Sequence, residues 1–207
     1  SKELMAHAGI PTPEWTPPGA DPDRIVEDLG LPLVVKPSSG GSTVGLSVVQ
    51  ARSEMDEALA LAAAYDPDVL CERFIPGREL TVAVLDGEAL PVVEIIPSHD
   101  IYDYECKYTP GMSRYEVPAS LSPGDTELIQ ELALRAYTAL RQESYSRIDF
   151  RRTDEGELSC LEANSLPGMT STSLVPKAAE AAGIEFPDLC ERIALAAVGA
   201  GRTAGGG

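Results

Sequence analysis

An α+β fold of two lobes is what this chain predicts, from three observations. Strand-length apolar runs mix with helical periods without the regular strand–helix–strand repeat of a doubly wound sheet. A dense block of strand-like residues runs from Glu79 to Ile96, with Asp86-Gly87 as a hairpin turn. Two later strands, Tyr145–Phe150 and Leu158–Asn164, flank the polar turn Arg152-Thr153-Asp154-Glu155-Gly156, which also reads as a hairpin.

The other elements follow in order. Residues 2–8 predict a short helix ended by Gly9 and Pro11. Asp21 is a natural N-cap before Pro22 for a helix reaching Gly30. Leu31–Lys36 predicts a buried strand, Pro37–Gly45 a Gly/Ser-rich loop and Leu46–Val49 a second strand. Ser53 to Tyr65 predicts a helix capped by Ser53, with Met55, Ala58, Leu59 and Ala62 on its apolar side. Val69–Glu72 is a strand, Ser98–Gly111 a polar, aromatic loop, and Thr126–Arg141 a long helix after the turn Ser122–Asp125. Helices near 173–182 and 186–198 complete the pattern, and the Gly/Ala-rich stretch 199–207 reads as a flexible tail. The expected division is 1–73, 74–198 and the tail 199–207.

Composition narrows the function. The 207 residues are 43% hydrophobic and 24% charged, as in soluble globular proteins. A formal charge of −17 argues against a general nucleic-acid binder. No apolar run reaches the roughly 18 residues that span a bilayer, and no secretory leader is visible, so no membrane partner and a cytoplasmic location are expected. Cys71, Cys106, Cys160 and Cys190 form no CxxC pair, which predicts isolated reduced thiols. In so acidic a chain an anionic ligand needs a local positive pocket, which draws attention to Lys2, Lys36 and Lys107.

Five clusters carry candidate chemistry. Asp149, Glu162 and Asn164 end the two late strands, and a hairpin would gather their oxygens into a set suited to Mg²⁺ with nucleotide phosphates and water. Arg147 is two residues from Asp149 on the same strand face, which reads either as support for a developing oxyanion or as an ordinary ion pair. Lys36 to Gly45 offers backbone N–H groups and hydroxyls to phosphate, though it lacks the P-loop order and also fits a plain hairpin loop. Cys71 to Glu79 offers two carboxylates, one for an adenine amino group and one for ribose hydroxyls, or else is a charged linker. Tyr102 to Tyr108, with Lys107, suits a lid over a terminal phosphate or a solvated aromatic loop.

Taken in order, these clusters resemble the ATP-grasp fold. The stretches Lys36-Pro37-Ser38 with Ser42-Thr43-Val44-Gly45, Tyr102-Asp103-Tyr104-Glu105 with Lys107-Tyr108, Glu162-Ala163-Asn164 with Pro167-Gly168-Met169-Thr170, and Ser173-Leu174-Val175-Pro176 resemble the D-alanine–D-alanine ligase family. The resemblance runs from about Ser1 to Ala197. It implies two α+β lobes with a nucleotide site between them, and an ATP-dependent ligation of two D-alanines through an acyl phosphate for peptidoglycan precursors.

By the same resemblance, Lys2 and Lys36 would contact the α- and β-phosphates and Lys107 the γ-phosphate. Glu72 and the backbone of Arg73 and Ile75 would hold adenine, and Glu79 the ribose. Asp149, Glu162 and Asn164 would bind two Mg²⁺ ions, with Mn²⁺ an acceptable substitute. Arg147 and the amide of Gly168 would stabilise the tetrahedral oxyanion. Ser173 and Leu174 would receive the second D-alanine carboxylate, and Ser42 and Tyr108 would order the lid and the substrate amine. Tyr108 favours an amide product over a D-lactate ester. A homodimer is the implied assembly.

The family carries a further N-terminal domain of roughly a hundred residues. This chain starts at the central domain, so the expectation is a Mg-ATP-binding core, weak or inactive in ligation alone, whose remaining domain arrives in trans. Ser144 and Ser146 stand where relatives have small, glycine-like residues. The alternatives are another ATP-grasp carboxylate–amine ligase and an ATP-binding fragment without turnover.

Overall fold

The computed structural model describes residues 1–39, 43–97 and 113–203, with side chains described through residue 197. In chain order its elements are α1 (Lys2–His7), β1 (Trp15–Thr16), α2 (Pro22–Leu29), β2 (Leu33–Pro37), β3 (Ser47–Val49), a 3₁₀ turn (Arg52–Glu54) and α3 (Met55–Ala63). Then come β4 (Val69–Arg73), β5 (Arg78–Leu85), β6 (Glu88–Ala89), β7 (Val93–Pro97), β8 (Ser113–Glu116) and α4 (Pro123–Ala139). The last are β9 (Tyr145–Arg152), β10 (Leu158–Asn164), α5 (Leu174–Ala181) and α6 (Phe186–Thr203). Helices and antiparallel sheets are mixed, as the α+β reading expects.

Contacts divide the chain into two units. One comprises Ser1–Thr12, Gly77–Ile96 and the chain from Tyr115 onward; the other comprises Pro13–Pro76 with Pro97 and residues 113–114. The cut at 73/74 therefore lies three residues from the observed crossing, but the first twelve residues side with the later strands. The reason is apolar: Met5 and Ile10 are buried in the same core as Leu80, Val82 and Phe150.

In the Pro13–Pro76 unit the sheet order is β1-β4-β2-β3. Leu33 and Val35 of β2 and Cys71 of β4 join Met55, Ala58 and Ala62 of α3, spaced at helical intervals, in one core. Asp21 caps α2 as expected, its carboxylate accepting from the N–H groups of Asp23 (2.9 Å) and Arg24 (3.3 Å). Ser53 does not cap α3: the chain enters through the 3₁₀ turn, and the Glu54 carboxylate reaches back to the N–H of Gln50 at 2.7 Å.

In the other unit the sheet runs β10-β9-β5-β7-β8, with β6 on β5. Ile129, Leu132, Ala133 and Ala136 of α4 pack on one face, and α5 lies against β5. Helix α4 starts three residues before the expected Thr126, because Pro123 fits the first helical turn and Ser122 Oγ accepts from the Asp125 N–H at 3.1 Å. Helix α6 continues to Thr203 where a flexible tail from Gly199 was expected. Its alanines favour helix enough to carry the chain past two glycines. Strands β1 and β8 escaped the sequence reading, being too short to show a period. The loop expected at Ser98–Gly111 lies outside the described residues.

Two outcomes are expected of this packing. Ser144 sits at φ +64° with its buried hydroxyl lacking a hydrogen-bond partner among the described residues. Relief of both costs should outweigh the added chain entropy, so Ser144→Gly should stabilise by about 1 kcal/mol, raising Tm by about 2–4 °C in calorimetry. Burial pushes the Cys71 thiol up to about 11, from 9.0. The unfolded chain then loses this proton first, so the Cys71 contribution is whole below pH 9 and is lost as pH rises through 11. Urea titrations should show about 2–3 kcal/mol more alkaline loss for the native sequence than for Cys71→Ala.

Candidate active site

Side chains alternate across a strand, so β5 and β9 present two chemically different faces. Leu80, Val82 and Val84 on β5, and Ile148 and Phe150 on β9, enter the core. The intervening residues, Glu79 and Thr81 opposite Arg151 and Asp149, share the other face with Arg147. Strand β10 joins this face only through an irregularity. Cys160 pairs with Phe150 on the core side, and unbroken pairing would set Glu162 opposite Ile148, also toward the core. A bulge between Cys160 and Glu162 shifts the register by one, so Glu162 pairs with Asp149 and Asn164 with Arg147.

The result is a compact polar cluster. Asp149 is 9% exposed, and four donors reach its carboxylate. Thr81 Oγ1 (2.6 Å) and Arg147 Nε (2.9 Å) donate to Oδ1. Arg147 Nη2 (2.7 Å) and Asn164 Nδ2 (3.0 Å) donate to Oδ2. Asn164 Nδ2 is also 3.3 Å from Glu162 Oε1, so two carboxylates converge on one amide. Beneath them Ser146, fully buried, donates its hydroxyl to the Asn164 carbonyl at 3.0 Å and ties the ends of β9 and β10 together.

This donor set fits a hard divalent cation. Two carboxylates converge on the NH2 group of one amide, Asp149 being also paired with Arg147, and the other branch of that amide is an oxygen. Among the described residues no three His, Cys, Asp or Glu side chains form a metal cluster. Mg²⁺ ordinarily takes one or two carboxylates and completes its shell with phosphate oxygens and water.

Downstream, the chain curls so that Gly168 and Ser173 meet; a methyl group at position 168 would lie 3.1 Å from Ser173 Oγ. That hydroxyl is bonded to the Thr170 N–H (3.1 Å) and Thr170 Oγ1 (2.9 Å), and not to the first turn of α5, which has no side-chain cap. Leu174 is buried at the first position of α5. Lys2 is buried on α1 and donates to Thr12 Oγ1 at 2.8 Å. Glu79 is the second residue of β5, two after Gly77, whose φ of +104° and close approach to the Arg152 carbonyl exclude any side chain. Arg151 anchors that glycine, donating from Nη1 to its carbonyl at 2.7 Å.

In the Pro13–Pro76 unit, Lys36 and Glu72 share the face of their sheet opposite the core, and their side chains form an ion pair. Arg73 is exposed, pairs with Glu14 and gives its backbone N–H to the Glu14 carbonyl at 2.9 Å; Ile75 is half-buried in the segment that follows. The base of the Gly/Ser loop is pinned by Asp66, whose carboxylate accepts from the Ser39 N–H at 2.8 Å and is thereby held below its usual range, chiefly by the Asp68 N–H. Ser42, Lys107 and Tyr108 lie outside the described residues.

Three residues escaped the sequence reading: Thr81, Arg151 and Asp66. Thr81 was detectable in principle, since Glu79-Leu80-Thr81 puts a hydroxyl two residues from a candidate carboxylate on a strand. Its partner Asp149 is 68 residues away, which no local pattern reports.

Comparison with known proteins follows the same features. The family model for the D-ala D-ala ligase C-terminus matches residues 4–194. A D-alanine–D-alanine ligase of Gloeobacter violaceus is 46% identical over 199 residues, covering 93% of this chain and 66% of the relative. One from a Synechococcus species is 45% identical, covering 93% of this chain and 61% of the relative. The chain thus spans somewhat less than two thirds of these relatives. A crystal structure of a Bacillus anthracis D-alanine–D-alanine ligase superposes with a TM-score of 0.86 at 35% identity, covering 99% of this chain and 67% of the other. A crystal structure of the B. anthracis enzyme complexed with ATP superposes with a TM-score of 0.81 at 30% identity, covering 100% of this chain and 65% of the other.

Arg147→Met should remove two of the four donors to a mostly buried carboxylate. Urea unfolding at neutral pH is expected to register a loss of about 2–3 kcal/mol.

Proposed function

This chain belongs to the D-alanine–D-alanine ligase family, and from that premise we propose that it carries the ATP- and magnesium-handling part of an enzyme joining two D-alanines. The observation that carries the reading is the convergence of Arg147, Asp149, Glu162 and Asn164 on one sheet face.

Asp149, Glu162 and Asn164 would hold two Mg²⁺ ions. Bound magnesium would neutralise charge on the phosphate oxygens as it develops. Lys2, Lys36 and Lys107 would meet the triphosphate, Glu72 with the backbone of Arg73 and Ile75 the adenine, and Glu79 the ribose. The first D-alanine carboxylate would attack the γ-phosphorus of ATP to give an acyl phosphate and ADP. The amine of the second D-alanine would then attack the acyl carbon, and phosphate would leave as the amide forms.

The chemistry this asks of the protein is mainly positioning and charge balance. Two unit negative charges 4 Å apart repel by about 4 kcal/mol near a protein surface, so a carboxylate approaching a triphosphate needs fixed cations. Arg147 and the Gly168 N–H would face the tetrahedral oxyanion, where Arg147 is already oriented by its fork on Asp149. Ser173 and the uncapped start of α5 would receive the carboxylate of the second D-alanine. Ser42 and Tyr108 would order the lid and the attacking amine. Homodimer formation, a domain supplied in trans and a cytoplasmic setting belong to the same proposal.

The deciding experiment is phosphate release from Mg-ATP with and without D-alanine, with the product identified by mass spectrometry. D-alanine-dependent phosphate together with the dipeptide is expected when any missing part is supplied. ATP binding without release would make the chain a nucleotide-binding core. Absence of metal-dependent ATP binding would overturn the reading. Glu162→Gln should weaken Mg-ATP binding by at least about 10-fold in calorimetric titration.

A further inference from the structure

We propose that Thr81 is a positioning residue for the cation site, acting through Asp149; the inference rests on the magnesium–ATP reading above. Thr81 is 1% exposed, on the central strand β5 directly opposite Asp149. Its hydroxyl is 2.6 Å from Asp149 Oδ1 and 3.1 Å from the Ile148 carbonyl. One hydroxyl proton serves one strong bond, and the shorter contact to a charged acceptor takes it.

The division of labour on the carboxylate gives this bond its purpose. Oδ1 is held by Thr81 and Arg147 Nε. Oδ2 accepts from Arg147 Nη2 and from Asn164 Nδ2, and through the latter it is the oxygen beside Glu162. A carboxylate can rotate about its Cβ–Cγ bond, and although the Arg147 fork meets both oxygens, both of its donors come from one long side chain on the same strand as Asp149. Thr81 adds a donor to Oδ1 from a different strand, which steadies the carboxylate when the Arg147 side chain moves and keeps Oδ2 directed at the Glu162–Asn164 edge. Thr81 has little other reason to be there. Its neighbours on β5 from Leu80 to Leu85 are otherwise apolar and buried, and a hydroxyl among them costs stability unless bonded. Outer hydroxyls that orient a metal carboxylate in this way typically affect metal affinity 10–100-fold.

The test compares Thr81→Val, which keeps the shape and deletes the hydroxyl, with Thr81→Ser, which keeps the hydroxyl and deletes a methyl group. Affinities for ATP without metal and for Mn²⁺-ATP are measured on each purified chain, the latter by water proton relaxation, with Tm recorded in parallel. Thr81→Val should lose at least about 10-fold in Mn²⁺-ATP affinity while metal-free ATP affinity stays within about 2-fold, and Thr81→Ser should stay near the native value. Thr81→Cys, with a weak and longer donor, should also lose affinity and serves if the valine variant is unfolded. Native Mn²⁺-ATP affinity in folded Thr81→Val or Thr81→Cys, whatever its Tm, would overturn the proposal. Equal loss of both affinities would overturn it as well, by revealing a general structural role. Failure of the native chain to bind Mn²⁺-ATP would instead remove the functional reading on which it rests.

Discussion

One extra residue in β10 decides what this sheet can do. Leu158 and Cys160 belong to the apolar core, and strict alternation would send Glu162 and Asn164 after them. The bulge between Cys160 and Glu162 turns the end of the strand over, so that Ala163 packs toward the core and the two polar residues join Asp149 and Arg147. A carboxylate driven into an apolar core would cost several kcal/mol, so the bulge is a cheap solution to a severe problem. It also re-aims side chains at the point where a strand gives way to a loop.

Once Glu162 faces Asp149, electrostatics govern the rest. Two carboxylates and one guanidinium leave a net negative charge in a half-buried setting, which is stable only where donors are dense. Arg147, Thr81 and Asn164 all donate to Asp149, and Ser146 secures the backbone that presents Asn164. At the Glu162 edge two carboxylate oxygens meet the NH2 group of one amide. Strain is accepted nearby, at the left-handed Ser144 that feeds β9. In the Pro13–Pro76 unit a smaller version of this balance holds, with the Lys36 ammonium set against Glu72 on the polar face of its own sheet.

The match to the D-ala D-ala ligase C-terminus runs through nearly all the described elements, and the likeness to solved ligases extends over the whole chain. What the structure adds is the set of supports behind the candidate site residues: Thr81 behind Asp149, Arg151 behind the Gly77 turn before Glu79, and Asp66 behind Ser39. None of them is a reactive group. Each holds fixed something that chemistry on a polyphosphate would require to be still.

The sequence by itself determined the local elements and the candidate chemistry. Asp21-Pro22 marked a helix start, Asp86-Gly87 and the turn at 152–156 marked hairpins, and Arg147, Asp149, Glu162 and Asn164 were visible as a cation-site pattern. These signals are local, written in residues a few positions apart. Only the tertiary structure decided that β10 carries a bulge, that the first helix packs with strands some seventy residues later, and that Thr81 meets Asp149. Register and long-range packing depend on which apolar surfaces find each other when the chain collapses, and neither a two-residue nor a 3.6-residue period contains that information.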